Sequence, residues 1–111
     1  MKIVVGSMST KLQEFLRKYQ FNSRVTVIHK MCNVKLIKEP SDVIIPFGVI
    51  NEYGLVSNTQ VHLEELLMSV DVKKIIYGNI AAKNKIEEIA NRHQVETVYM
   101  DFRTLDRTVK L

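Results

Sequence analysis

Five short apolar runs, separated by segments of helical periodicity, constrain the fold of this chain more than any other feature of its sequence. They occupy residues 2–5, 24–29, 42–45, 73–77 and 96–100, and Val and Ile dominate them. Runs of this length, rich in β-branched residues and bounded by turn-forming residues, read as buried strands. Between the first two, Leu12, Phe15, Leu16 and Tyr19 recur at i, i+3, i+4 and i+7. That stripe predicts a helix over residues 11–19, and Thr10 followed by Gln13 has capping-box spacing. Leu63, Leu66, Leu67 and Val70 supply a second stripe, on a helix beginning near Asn58 or Thr59, either of which can cap it. Ala82, Ile86, Ile89 and Ala90 are the buried positions of a third, capped by Asn79.

Strands that alternate with amphipathic helices imply a mainly parallel sheet, and right-handed crossovers place helices on both of its faces. The expected fold is therefore α/β: a three-layer, Rossmann-like or flavodoxin-like domain with a mostly parallel, five-stranded sheet, spanning residues 1–111. A chain of 111 residues fits one such domain. Two segments escape the pattern. In residues 31–39, Val34, Leu36 and Ile37 fit either an extended piece at a sheet edge or a crossover that replaces a helix. The tail, 101–111, has the apolar spacing of one helical turn around Leu105 and Val109.

Composition excludes several classes. Hydrophobic residues make up 46% and charged residues 25% of the chain, a balance that argues against disorder. No apolar run approaches the roughly 20 residues that span a bilayer. The start, Met1 to Gly6, is too short for a secretory core and reads as a strand, so a cytoplasmic protein is expected. The single cysteine, Cys32, forms no internal disulfide framework. His29 lies three residues before it, but Lys30, Met31 and Asn33 complete no metal-ligand set. Cys32 is therefore read as an ordinary, partly buried thiol, and no metal is expected. The formal charge of +4 comes from scattered lysines and arginines interspersed with Glu64, Glu65, Glu87, Glu88 and Glu96. A mixed surface of this kind disfavours nucleic-acid binding, which concentrates positive charge in a stripe.

In open α/β sheets, ligands sit outside the carboxyl ends of the strands. Three loops of this sequence fall there. The first is Gly6-Ser7-Met8-Ser9-Thr10, the second runs through Pro46-Phe47-Gly48 to Asn51-Glu52-Tyr53-Gly54, and the third is Gly78-Asn79. The first lacks G-x-G-x-x-G spacing and carries bulky Met8, and the second strand ends in His29 rather than an acidic residue. No dinucleotide, and no other cofactor, is expected. A smaller anion can use the backbone N–H groups at this helix start, helped by Ser7 and Ser9, although hydroxyl caps on a plain turn account for the same residues. Gly6, Gly48, Gly54 and Gly78 supply turn geometry, while Asn51 and Asn79 can present amides to a ligand. Glu52 follows a strand end and can serve as an acid or base, with no partner assignable from the sequence. His62 and His93 fall on predicted helices. The chain has no P-loop, no G-x-S-x-G, no H-E-x-x-H and no C-x-x-C.

Three stretches also carry a family likeness. Val43-Ile44-Ile45-Pro46 leads into Asn51-Glu52-Tyr53-Gly54-Leu55-Val56-Ser57, and Ile75-Ile76-Tyr77-Gly78-Asn79-Ile80 follows. Residues 42–106 thereby resemble the amino-terminal domain of the NAD(P)-binding subunit of dipicolinate synthase, from spore-forming bacteria. In that family a Rossmann-like domain is joined to a larger NAD(P)-binding domain. The first turn here, Gly6-Ser7-Met8-Ser9, has fewer glycines than the family's, and the sequence stops before the half that holds the nicotinamide. The resemblance thus implies a non-catalytic accessory or binding module for a small anionic, carboxylate-bearing metabolite or a protein partner. A homodimer or a larger partner can use Val34, Leu36 and Ile37, or Leu105, Val109 and Leu111. The alternatives are a small enzyme using Glu52 and a nucleic-acid-binding accessory protein.

Overall fold

Parallel strands cannot be joined by tight turns, so every pair needs a crossover that returns the chain to the same end of the sheet. The computed structural model describes residues 1–104 and 109–111, apart from the side chain of Asn33. It shows β1 (Lys2–Val5), α1 (Thr10–Lys18), β2 (Val25–Ile28), β3 (Ser41–Ile45), α2 (Leu63–Ser69), β4 (Val72–Tyr77), α3 (Lys83–Arg92) and β5 (Glu96–Tyr99). All four strand pairings are parallel, in the order β2-β1-β3-β4-β5. This is the flavodoxin-like order of the doubly wound folds. The expected α/β architecture is present, with a sheet that is parallel throughout.

Side chains alternate across a strand, which sorts the core into two layers. Ile3, Val5, Val43, Ile45, Ile75 and Tyr77 pack with Leu63 and Leu66 of α2 and with Ile86 and Ile89 of α3. Val4, Ile44 and Ile76 point the other way, toward Leu12 and Phe15 of α1. The irregular segment resolves into a 3-10 helix, Met31–Leu36, which crosses from β2 to β3 in place of an α-helix. Its Val34 enters the α2–α3 layer while Leu36 stays 82% exposed. Val34 and Leu111, both expected at a self-contact surface, are instead buried in the core. Cys32 is exposed rather than partly buried.

On the α1 face the tail takes the place of a second helix. Phe102 packs against Phe15 and Tyr19, at centroid separations of 4.9 and 5.7 Å. Its carbonyl oxygen accepts from the Tyr19 hydroxyl at 2.8 Å and from Lys18 Nζ at 2.9 Å. The Leu111 N–H donates to Gln20 O, and the Asn22 N–H donates to Leu111 O. Burying a Phe of this kind stabilises by roughly 2 kcal/mol. The helical turn expected around Leu105 lies outside the described residues.

Three helix starts differ from expectation. The cap of α1 is Ser9, whose Oγ accepts from Leu12 N at 3.2 Å, and Thr10 is the first helical residue. Helix α2 begins at Leu63, not near Asn58 or Thr59, and His62 Nδ1 caps it by accepting from Glu65 N at 3.3 Å. The hydroxyl of Thr59 is committed locally, donating to Val56 O and accepting from Val61 N. Such local bonds compete with helix capping. Asn79 caps a short 3-10 turn, Ile80–Ala82, that leads into α3, and His93 follows the last turn of α3 as its C-cap.

Candidate functional site

Strand β1 sends its crossover to one side and β3 to the other, so the chain diverges between them and leaves a crevice at the carboxyl edge. A hollow of about 470 Å³ occupies this point, lined by Gly6, Ser7, Ser9, Lys11, Phe47, Gly48, Ser57 and Asn58 together with Val5 and Leu12. A second hollow of about 340 Å³ lies alongside, where β3, β4 and β5 end. Pro46, Phe47, Gly48, Gly78, Asn79, Ile80, Tyr99, Phe102, Arg103 and Lys11 line it. Lys11, Phe47 and Gly48 belong to both.

Backbone conformation builds these walls. Gly48 has φ +89°, a region that costs residues with a Cβ about 1–2 kcal/mol, and a Cβ there would lie 2.5 Å from Ser57 Oγ. Ser57 Oγ accepts from Val49 N at 3.0 Å, and Ser57 N donates to Val49 O at 2.9 Å, which folds the loop back on itself. The Ser7 hydroxyl donates to the Asn58 carbonyl and ties the first loop to the second. Gly78 has no room for a side chain, since a Cβ would meet the Pro46 carbonyl oxygen and lie 2.6 Å from Phe102 Cδ2.

A hydroxyl that accepts from a backbone N–H still has its own proton to give. Ser9 and Ser57 are both in that position, bonded through their oxygens to Leu12 N and Val49 N. Ser7 is not, because its proton is committed to Asn58. Lys11 adds a positive charge, with Nζ 4.6 Å from the centre of the Phe47 ring. The α1 start adds backbone N–H groups of its first turn, which have no partner within a helix. The first hollow therefore gathers hydrogen-bond donors around one cation. In the second hollow Arg103 is paired with Asp101, Nε to Oδ1 at 3.1 Å. That pairing holds the Asp101 carboxyl below the usual carboxylate range and raises the Arg103 guanidinium.

The three loops named from sequence are brought together only in part. Gly6, Ser7, Ser9 and Gly48 meet in the first hollow, and Pro46, Phe47, Gly48, Gly78 and Asn79 meet in the second. The Asn79 side chain accepts from Ala81 N at 3.0 Å. Asn51, Glu52 and Gly54 line neither. Asn51 Oδ1 accepts from Tyr53 N and Leu55 N, closing a tight turn, and the Gly54 carbonyl accepts from Leu63 N at the start of α2. Glu52 is exposed on that turn. Sequence reasoning missed Lys11, Ser57, Asn58 and Arg103. Only Lys11 left a signal, as a cation in the first turn of a helix that follows a strand-end loop.

No family model, curated protein or solved structure matches this chain. Among the described residues, no group of three or more His, Cys, Asp or Glu side chains is placed to hold a metal ion. No helix among them is long and apolar enough to cross a membrane.

Proposed function

We propose that this chain is a small binding module that holds an anionic metabolite in the hollow between β1 and β3 and has no catalytic step of its own. The observation that carries this reading is the convergence of Lys11, Ser9 and Ser57 on the crevice where the strand order reverses. Among the described residues, no carboxylate or imidazole, the usual groups for acid–base work, lines either hollow, and the Asp101 carboxylate beside Arg103 is committed to that ion pair. Glu52 stands on the neighbouring turn, outside both. The resemblance to the amino-terminal domain of dipicolinate synthase supports a carboxylate-bearing ligand. It also supports an accessory role in the cytoplasm of a spore-forming bacterium. A larger partner protein or a second copy of the chain completes the functional unit in this proposal. Tyr53, 74% exposed and outside both hollows, gives such a contact apolar surface.

A thermal-shift screen with pyridine-2,6-dicarboxylate, inorganic phosphate and adenosine monophosphate tests the reading. At least one anion is expected to raise the melting temperature by several degrees, and Lys11→Met is expected to abolish that rise. Glu52→Gln is expected to leave it intact. Unchanged melting temperatures with every anion, together with recovery of a protein partner by pull-down, would overturn the ligand proposal.

A further inference from the structure

We infer that the ligand is an anion carrying an aromatic ring, its charged group held in the hollow between β1 and β3 and its ring lying in the adjoining hollow. The inference rests on the anion-binding reading above and adds the chemical class of the ligand. The two hollows differ in what lines them. The first presents the Ser9 and Ser57 hydroxyls and the Lys11 ammonium. The second is lined by the rings of Phe47, Tyr99 and Phe102 and the aliphatic side chain of Ile80, with Arg103 beside them already paired to Asp101. Aromatic rings gain from offset or edge-to-face neighbours beyond the apolar area they bury. Such a wall therefore selects a ring over an aliphatic group of equal size.

Two further observations join the halves. Phe47 is the wall common to both hollows, and Lys11 rests over its ring at 4.6 Å. Phe47 is only partly buried, so the contact of Lys11 with its ring is weak and an arriving anion can draw the ammonium off the ring face. Tyr99 and Ile80 remain 38% and 55% exposed on the far side of the second hollow. The apolar part of a ligand anchored at Lys11 would cover them. Hollows of about 340 and 470 Å³ each fall in the range of small-molecule sites, and Lys11, Phe47 and Gly48 line both. The charged group is a carboxylate or a phosphate, since each accepts from an ammonium and two hydroxyls.

Titration calorimetry with paired probes separates the possibilities. Phenyl phosphate is compared with inorganic phosphate, benzoate with acetate, and benzyl alcohol serves as the uncharged ring. In one of the two anion pairs the ring is expected to tighten binding at least tenfold, and that pair identifies the charged group. Tyr99→Ser is expected to shrink the advantage below threefold while leaving the ringless anion unchanged. Lys11→Met is expected to weaken both members of the pair about tenfold. Should Tyr99→Ser fail to fold, Ile80→Ser offers the same readout from a more exposed position. Equal affinity for ringed and ringless anions would overturn this inference and leave the anion reading standing. Equal affinity for benzyl alcohol, or no binding by any probe, would overturn both.

Discussion

At the amino edge of the sheet, Lys2 on β1 reaches Asp42 on β3 at 2.7 Å, with side chains only 11% and 18% exposed. Arg24 pairs with Glu39 and Lys73 with Asp71 on the same edge, and the terminal ammonium of Met1 donates to Pro40 O. The carboxyl edge of the same five strands is built otherwise. Among the described residues it carries one ion pair, Asp101 with Arg103. Instead it holds Gly48 and Gly54 at positive φ, Gly78 pressed against Pro46 and Phe102, and the exposed apolar side chains of Met8, Val49, Tyr53, Ile80 and Tyr99. One edge is closed by charge pairing across neighbouring strands. The other keeps its donors and rings turned outward, and backbone conformations that only small residues tolerate hold it together. The same strands are thus tied by charge at one end and by close backbone packing at the other.

Substitutions can break this contrast or sharpen it. The largest effect is expected at Gly78, where backbone contact closes the open edge. Gly78→Ala forces a methyl into the Pro46 carbonyl and the Phe102 ring and should lower unfolding free energy by about 3 kcal/mol, read by urea denaturation. A loss below about 1 kcal/mol would mean that this edge is not held by close backbone packing. At the amino edge, Asp42→Ala strands the Lys2 charge in a nearly buried position and should cost about 2 kcal/mol, with binding at the far edge unchanged. Lys2→Met combined with Asp42→Leu should restore most of that loss, because a buried pair replaced by apolar groups leaves no unpaired charge. Full persistence of the loss in the double variant would assign the effect to packing rather than charge.

The smallest effect belongs to the ion pair on the open edge. Arg103 lowers the Asp101 carboxyl from its ordinary value of 3.8. A carboxyl depressed in the folded state stabilises fully above its unfolded value and loses that contribution as pH falls through its folded one. Melting temperatures of the wild type and Asp101→Asn should therefore differ slightly at neutrality and converge only below pH 3.8. A difference that survives into stronger acid would show that the carboxyl acts through something other than its charge.

The strands were legible as short β-branched apolar runs bounded by turn residues, and the core faces of the helices because a period of about 3.6 residues is written in single side chains. Leu12 and Phe15, Leu63 and Leu66, Ile86 and Ile89 are all buried as that spacing requires. Helix starts were less legible. Asn58 and Thr59 have the right chemistry for caps, yet both are held in the turn that precedes the helix, and the task falls to His62. Of the site, the turn glycines could be read and the convergence of loops could not. Glu52 stands close to Gly48 in sequence, but the chain pairs back on itself at Ile50 and Val56 and carries the carboxylate away. Lys11 and Ser57 meet across 46 residues because β1 and β3 are neighbours, a fact of strand order that no local pattern records.

The α1 face takes part of its cover from residues far along the chain, Phe102 and Leu111. The Phe102 carbonyl is reached by Lys18 and Tyr19 across 84 and 83 residues of chain. The opposite face is covered by α2 and α3, each of which follows in sequence one of the strands it packs on. Contacts of such long sequence separation form slowly, and apolar surface left waiting is where chains associate wrongly. Phe15 and Tyr19 accordingly owe part of their cover to a residue that no neighbouring segment supplies, and a chain cut before Phe102 would expose them.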